Sequence, residues 1–142
     1  MKNTAELCHG VRALIMRGGR VLVLRRAVDD PDEPGSWDLL GGALRPGEST
    51  QVGMIREVRE ETGIAANQLS IDVGFQVIHP EYKGKHLTIA VFTCESKTQQ
   101  LHLSKEHDSY QWILPRDLHK LPLGVMLSAL ATQFSSLAGR HS

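Results

Sequence analysis

The sequence predicts one α/β domain, in which helices cover both faces of a mixed β-sheet. Several short segments are apolar on one or both faces of an extended chain, as β-strands are. One helical pattern stands in the middle of the chain and another at its end, so each face of the sheet has a helix to cover it. The length of 142 residues fits a single domain over residues 1–142.

The first third of the chain predicts a β-hairpin, a surface loop and a short strand. Residues 7–16 carry apolar side chains on both faces of a strand, and residues 21–24 continue as the returning strand. The glycine pair 18–19 favours a tight turn between them, because glycine tolerates positive φ. Residues 27–36 are acidic and contain two prolines, which is typical of a surface loop. Residues 37–40 are expected to form a short strand that leads into a second glycine pair.

A helical pattern follows in the middle of the chain and ends at Thr62. Ser49 or Thr50 is a suitable N-cap, because its hydroxyl can accept a hydrogen bond from a free N–H group of the first turn. Gly63 is a suitable stop, since glycine adopts the left-handed conformation that ends many helices.

The second half of the chain predicts three more strands and a final helix. Residues 69–78 alternate, and four apolar side chains share one face: Ile71, Val73, Phe75 and Val77. Residues 86–94 are apolar on both faces, as expected of a central strand, and residues 109–114 form a shorter strand. Pro122 is expected to open the last helix. Its apolar residues recur at helical spacing: Met126, Leu130, Phe134 and Leu137.

Composition and charge argue against several classes of protein. Sixteen basic residues balance sixteen acidic ones, so the chain has no net charge with which to attract a long nucleic acid. No run of about 18 apolar residues occurs, so no membrane span is expected. The N-terminus has no apolar segment typical of a secretory signal. We therefore expect a cytoplasmic protein, either a monomer or a homodimer.

Two cysteines, Cys8 and Cys94, lie in apolar segments that resemble strands. A disulfide between them is one possibility. Buried thiols in a reducing compartment are the favoured interpretation, because free cysteine is among the most frequently buried residues and cytoplasmic disulfides are rare.

The middle helix is expected to gather three carboxylates on one side. Each helical residue advances by about 100°, so Glu57, Glu60 and Glu61 fall within a sector of roughly 100°. Four residues fall on the opposite side, which we expect to face the core: Val52, Ile55, Val58 and Thr62.

Three neighbouring anions repel one another and need a counter-charge. Arg56 and Arg59 supply part of it. Mg²⁺ would supply more, since it takes oxygen ligands, and it also binds phosphate oxygens. On charge alone, a solvated acidic helix face paired with arginine explains the pattern better than a metal site does.

The complete segment 42–64 resembles the Nudix box. That motif is Gly, five residues, Glu, seven residues, Arg-Glu-aliphatic, one residue, Glu-Glu, one residue and Gly-aliphatic. Every specified position is filled here: Gly42, Glu48, Arg56, Glu57, Val58, Glu60, Glu61, Gly63 and Ile64. Chance would produce this spacing in well under roughly one chain in a million, so the motif is far more specific than a single glycine-rich pattern.

The resemblance implies a Nudix fold, an α/β/α sandwich with a mixed β-sheet. It also implies Mg²⁺-dependent attack of water at phosphorus in a diphosphate linkage, with Mn²⁺ as a possible substitute. By position, Glu57, Glu60 and Glu61 are the implied metal ligands, joined by the main-chain carbonyl of Gly41. Arg56 is implied to orient the glutamates and to pair with Glu48.

Outside the box, Glu106 lies six residues before Trp112. A loop glutamate of MutT-type members has a similar placement and helps to bind metal or activate water, so Glu106 is a further candidate ligand. A solvated loop residue is an equally good interpretation. Glu60 or Glu61 is favoured as the general base, with Glu106 as the loop candidate. Among the histidines, His107 is the one candidate for a role at the site, because it lies next to Glu106, but a solvated loop residue is the favoured interpretation.

Two positions depart from the usual pattern of the family. Leu40 stands where proline usually precedes the two glycines, which puts the rigidity of that loop in doubt. Gly53 stands where alanine is common, and glycine inside a helix costs about 0.5–1 kcal/mol relative to alanine. Close packing of the helix would explain this glycine.

The motif specifies a diphosphate but leaves the rest of the substrate open. The short chain favours a nucleoside triphosphate or a small nucleoside diphosphate derivative over a long nucleic acid or mRNA cap. Weak candidates for substrate contacts are Asp38, Tyr82 and Trp112, and Trp37 and Phe75 are weaker ones. Each is more often a core or turn residue.

Two other classes of protein share this scaffold. A catalytically idle nucleotide-binding or regulatory module would be expected to lose box glutamates, and this chain keeps them all. An isoprenoid diphosphate isomerase would need a cysteine nucleophile in its pocket, whereas Cys8 and Cys94 are expected in the strands.

Overall fold

Eight strands form one mixed β-sheet in a computed structural model that describes residues 8–140, with side chains as far as residue 132. The strands of the first half are β1 (Gly10–Arg17), β2 (Arg20–Arg26), β3 (Trp37–Asp38) and β4 (Leu40–Ala43). Those of the second half are β5 (Leu69–Ile71), β6 (Gln76–Ile78), β7 (Glu81–Tyr82), β8 (Lys85–His86), β9 (Ile89–Ser96) and β10 (His107–Ile113). The α-helices are α1 (Thr50–Thr62) and α2 (Val125–Arg140), and short 3₁₀ helices span Ala66–Gln68 and Pro115–Lys120.

The centre of the sheet is the parallel pair β1 and β9, and every other pairing in it is antiparallel. Strands β2 and β10 extend the sheet on one side of β1, and β5 lies beyond β9 on the other. The short strands β3, β4 and β6 pair with β2, β1 and β9, while β7 and β8 form a separate hairpin. The predicted mixed sheet is therefore confirmed.

Each face of the sheet carries its own apolar core. Alternate residues of β1 point to opposite faces: Val11 and Ala13 pack with Met54 and Val58 of α1, whereas Leu14 belongs to the other core. That second core contains three residues of α2: Met126, Leu127 and Leu130. The two helices thus cover the two faces, which gives the expected α/β/α layers.

The turn at residues 18–19 and the limits of α1 are as predicted. Gly18 and Gly19 have φ of 57° and 76°, a conformation that favours glycine, and they join β1 to β2. The Ser49 hydroxyl accepts a hydrogen bond from the Val52 N–H at the N-terminus of α1. Gly63 ends the helix with φ of 77°.

The core-facing side of α1 is rotated from the prediction. Val52, expected in the core, is 58% exposed, while Met54 is 1% exposed. Burial instead runs along Thr50, Met54 and Val58 and includes Glu61. The sequence pattern alone could not place the boundary between the acidic and apolar faces, because Glu61 lies on that boundary.

The predicted strand at 69–78 is two strands. Residues 72–75 leave the sheet between β5 and β6, although both strands pair with β9. Val73 lies between the two strands and is fully exposed, so the expectation that it shares one strand face with Ile71, Phe75 and Val77 is wrong. Four residues of this segment stand opposite only Phe92 and Thr93 of β9, and the extra length bulges outward.

The last helix begins three residues later than expected. Pro122 precedes α2, which starts at Val125, and Pro115 opens the unpredicted 3₁₀ helix. Residues Met126 and Leu130 face the core as predicted. The side chains of Phe134 and Leu137 lie outside the described residues. None of the described helices is long and apolar enough to span a membrane.

Candidate active site

Strand β4 and helix α1 bring the residues of the box together. The two glycines of β4 allow the strand and the helix to approach closely. A side-chain carbon on Gly42 would come within 2.7–3.0 Å of the Glu57 carboxylate. Gly41 has φ of 143°, and a side chain there would collide with the backbone of β1. Its N–H donates a hydrogen bond of 2.8 Å to Oε2 of Glu61. Two carboxylates of α1 therefore rest against the backbone of β4.

Arg56 pairs with three of the four box glutamates at once. Its Nε and Nη2 groups donate to the two oxygens of Glu48 at 2.6 and 2.9 Å. Its Nη1 group donates to Glu57 at 2.9 Å and to Glu60 at 3.2 Å. A planar guanidinium can hold such a set because its donors have a fixed geometry. The predicted pairing of Arg56 with Glu48 is present.

Glu48 is held as an anion by this contact. Its hydrogen bonds from Arg56 and from the Arg45 N–H lower the pKa of Glu48 to about 2. The hydrogen bonds to Glu48, with those to Glu57, raise the pKa of Arg56. Gly53 lies beside this pair, and a side-chain carbon there would come within 2.5 Å of Leu44 and 2.9 Å of Glu48. The unusual glycine of the box thus leaves space for the glutamate that anchors Arg56.

Glu61 has a different environment from the other box glutamates. The residue is 5% exposed, and the bond from the Gly41 N–H is the one hydrogen bond to its carboxylate among the described residues. Burial in the interior, reinforced by the nearby charge of Glu57, raises the pKa of Glu61 to about 8. A buried carboxylate without a cationic partner is costly when ionised, so it is suited to share a proton or a cation.

The turn before β10 is attached to the end of α1. The N–H groups of His102 and Ser104 donate to the carbonyls of Thr62 and Glu61 at 2.9 and 3.1 Å. This attachment brings Glu106 and His107 to Glu61, and one ligand atom from each of the three lies within 4.8 Å of the others. Glu106 is itself exposed, so it lies beside the box and is also a solvated loop residue. Both interpretations that the sequence left open agree with this placement.

His107 is a correction to the sequence analysis. It was expected to be a solvated loop residue, but it is 8% exposed and opens β10 opposite Arg26. Burial lowers the pKa of His107 to about 4, and the nearby charge of Arg26 adds to the effect. The burial of this side chain depends on the pairing of β10 with β2 and on the attachment of the turn to α1, so the local sequence could not indicate it.

A cavity of about 260 Å³ opens beside the start of the box. Its lining includes Gly42, Ala43, Tyr82 and two arginines, Arg12 and Arg26. The electrostatic environment of Arg12 includes Asp38, Glu61 and Glu57. Sequence reasoning missed both arginines. The signal for Arg12 was a charged residue inside the apolar strand β1, where a buried cation usually has a partner or a function.

Of the residues predicted to contact the substrate, one lines the cavity and the others have structural roles. Tyr82 lines the cavity. Asp38 is 1% exposed, and its Oδ1 accepts hydrogen bonds from the N–H groups of Leu39 and Leu127, both at 2.8 Å. It caps the N-terminus of α2, and this burial leaves it no surface for a substrate. Its pKa is raised because it is desolvated.

The aromatic candidates belong to the scaffold. The Trp112 indole donates to the Gln99 carbonyl at 3.1 Å. Phe75 packs against Phe92 with ring centroids 5.3 Å apart. Trp37 is 6% exposed within the core of the α2 face.

The donor set fits a divalent cation. Glu57 and Glu61 offer carboxylate oxygens beside the backbone of β4, and Glu106 adds another near Glu61. Clustered carboxylates are the ligands that Mg²⁺ and Mn²⁺ prefer. The buried, unpaired carboxylate of Glu61 would gain most from such an ion, because no side-chain cation bonds to it directly.

Comparison with known proteins identifies relatives over most of the chain. The NUDIX domain family matches residues 7–130. The nucleoside triphosphatase NudI of Escherichia fergusonii is 30% identical over 120 residues, which cover 79% of this chain and 85% of that protein.

Two solved structures share the fold and 28% sequence identity. The MutT protein of Methanosarcina mazei Go1 has a TM-score of 0.76 and covers 94% of each chain. A binary complex of the Caenorhabditis elegans Ap4A hydrolase has a TM-score of 0.73 and covers 92% of this chain and 97% of its own. Together with the complete box and the glutamates gathered at β4, these matches show that the chain belongs to the Nudix family and is a pyrophosphohydrolase of that family.

Proposed function

We propose that this enzyme uses Mg²⁺ to hydrolyse a diphosphate linkage in a nucleoside triphosphate or a small nucleoside diphosphate derivative. The observation that carries the proposal is the convergence of Glu57 and Glu61 on the backbone of β4, with Glu60 tied to Glu57 through Arg56. Three carboxylates in that arrangement suit a hard cation and the phosphate oxygens it attracts.

The residues have separate roles in this proposal. Glu57, Glu60 and Glu61 would hold the ion, together with the Gly41 carbonyl and Glu106. Bound Mg²⁺ would neutralise charge on the phosphoryl oxygens and lower the pKa of a coordinated water. Arg56 is a positioning residue, since it holds three carboxylates through hydrogen bonds, and Glu48 anchors it.

The proton of the attacking water passes to a glutamate at the buried end of the cluster. We favour Glu61, because it is buried and, within the part of the chain that the structure describes, its carboxylate is bonded through Oε2 to the Gly41 N–H alone. Glu106 lies close enough to serve as the alternative. Glu60 is less suitable than the sequence suggested, since its side chain is 48% exposed and paired with Arg45 and Arg56. Neighbouring carboxylates titrate as a coupled set, so the base belongs to the cluster.

The cavity beside the box supports a nucleotide substrate. It adjoins Gly42 and Ala43 and contains an aromatic ring, Tyr82, with two arginine side chains, Arg12 and Arg26. An aromatic ring can stack on a base, and guanidinium groups bind phosphate. The names of the relatives, a nucleoside triphosphatase and an Ap4A hydrolase, agree with that substrate class.

An idle nucleotide-binding module is the alternative function, but no feature of the site geometry favours it.

The environment of the cysteines argues against the other alternative, an isomerase. Burial raises the pKa of Cys94 to about 12, so its thiol is a poor nucleophile. Cys8 and Cys94 are not joined by a disulfide. The buried thiol of Cys94 supports a reducing, cytoplasmic location for the protein.

A panel of nucleotides incubated with the protein, with and without Mg²⁺, tests the proposal. We expect release of pyrophosphate or phosphate from at least one nucleoside triphosphate or diphosphate derivative, and its loss on adding EDTA. Tight nucleotide binding without turnover would overturn the proposal in favour of the idle module. The nucleotide that is hydrolysed fastest in the panel would also narrow the class of substrates.

A further inference from the structure

The turn at residues 104–107 holds buried polar atoms that the proposed reaction does not use. The Nδ1 atom of His107 and the Oγ atom of Ser104 are both shielded from solvent and have no hydrogen-bond partner among the described residues. Buried polar groups are nearly always satisfied, so an exception needs an explanation. Both atoms belong to the turn that carries Glu106 to the end of α1.

His107 is close enough to two carboxylates to share a ligand with them. One of its ring nitrogens, an oxygen of Glu61 and an oxygen of Glu106 lie within 4.8 Å of one another. Atoms at that separation can be drawn onto one ion by small side-chain movements, since metal–ligand bonds of about 2 Å leave adjacent ligands roughly 3 Å apart. His107 is 92% buried, from its exposure of 8%, so its ring is directed into the protein.

We propose that His107 is a metal ligand, and that Glu61, Glu106 and His107 form a mixed nitrogen and oxygen subsite at the buried end of the glutamate cluster. This inference deepens the proposed function, because it concerns the ions that serve the same site. Imidazole nitrogen binds transition metals well, whereas Mg²⁺ is bound almost entirely through oxygen. The subsite would therefore select Mn²⁺ or a later transition metal over Mg²⁺.

Pulsed EPR of bound Mn²⁺ tests the proposal directly, because electron spin echo modulation detects a coordinated ¹⁴N nucleus. The samples are the wild-type protein, His107→Gln and the control His102→Gln, each loaded with substoichiometric Mn²⁺ and no nucleotide. His102 is a suitable control because it lies in the same segment but is exposed. We expect ¹⁴N modulation in the wild type and the control and its loss in His107→Gln.

The affinity for the two ions gives a second measurement. Even outer ligand partners are worth roughly 10–100-fold in metal affinity, so loss of a direct ligand should weaken Mn²⁺ binding by at least about tenfold. Mg²⁺ binding, measured by competition with Mn²⁺, should change much less. Equal losses for both ions would overturn the selectivity, since they would indicate a general disturbance of the site.

Wild-type protein with ¹⁵N-labelled histidine shows whether the nitrogen bound to Mn²⁺ comes from histidine. This result does not depend on whether His107→Gln folds. Replacement of the ¹⁴N signal by a ¹⁵N signal, together with its dependence on His107, supports the proposal. Absence of nitrogen modulation from bound Mn²⁺, or its persistence in His107→Gln, would overturn it. Mg²⁺-dependent hydrolysis by the same wild-type preparation reports separately on the proposed function, so the two ideas can fail independently.

Discussion

The glutamate cluster has two ends that differ in how their charges are balanced. At the outer end, Glu48, Glu57 and Glu60 each accept a hydrogen bond from Arg56. At the inner end, Glu61 is buried and accepts a bond only from a backbone N–H, and the neighbouring His107 ring has an unpartnered nitrogen. At the outer end a guanidinium of the protein balances the carboxylates, whereas the inner carboxylate is balanced by its own proton or by a bound cation.

This difference indicates that the outer end positions the carboxylates and the inner end binds a cation. Charges that already have partners are held in place before any ion arrives, and a bidentate arginine contact adds geometric precision. A buried anion without a cationic partner raises the free energy of the metal-free protein, and an ion relieves that cost. We therefore expect the outer end to set geometry and the inner end to gain most from a cation.

The largest effect should follow removal of a charge at the inner end. Glu61→Gln keeps the shape of the side chain and an oxygen for the Gly41 N–H, but it loses an anionic ligand and a base. We expect kcat to fall by at least roughly a hundredfold at saturating Mg²⁺.

Steady-state release of product from the best nucleotide of the panel measures this loss. Glu60→Gln, at the outer end, is also expected to lower kcat by at least roughly a hundredfold, but by less than Glu61→Gln, because it does not remove the favoured base. Near-normal turnover in both variants would remove the assignment of these carboxylates. A large loss in Glu60→Gln alone would reverse our ranking of the two ends.

A smaller effect should follow a change at the outer end. Arg56→Lys keeps the positive charge but cannot bond to Glu48, Glu57 and Glu60 together, because an ammonium group lacks the planar set of donors. We expect kcat/KM to fall by roughly tenfold and the Mg²⁺ concentration for half-maximal activity to rise.

Arg59→Lys is the matched control, since Arg59 is an exposed residue of the same helix. It should leave both quantities within about twofold. If Arg56→Lys matched the loss of Glu61→Gln, a purely positioning role for Arg56 would be untenable.

The smallest effect concerns stability without metal. The raised pKa of Glu61, about 8 against an ordinary 4.5, means that the folded state holds a proton which the unfolded state has released between those values. The contribution of Glu61 is therefore complete below about pH 4.5 and is lost as pH rises toward 8.

In EDTA, Glu61→Gln should be more stable than the wild type at pH 8, by at least about 1 kcal/mol, and nearly equal to it at pH 5. Urea unfolding at the two pH values measures the difference. Excess Mg²⁺ should reverse the order at pH 8, because an ion bound to the folded state stabilises it. A Glu61→Gln variant whose metal-free stability fell at pH 8 would contradict the buried, unpaired state of Glu61.

The sequence determined the parts of this protein that depend on local periodicity and fixed spacing. The limits of α1 and the turn at 18–19 were predicted, because each follows from residues close together in the chain. The contact of Arg56 with Glu48 was implied by the resemblance to the Nudix box. The course of residues 72–75 and the start of α2 were not, since sheet pairing and packing override local pattern.

Only the tertiary structure decided which glutamate is buried and what lies beside it. The burial of Glu61 and the approach of His107 arise where β4, α1 and the turn before β10 meet. The cavity that contains Arg12 is lined by residues of β1, β2 and β4, among others. Contacts between residues so far apart in the chain leave no periodic signal, and the pKa of a carboxylate depends on that surrounding medium. The sequence of α1 determines which charged residues are present, whereas the fold determines their environment.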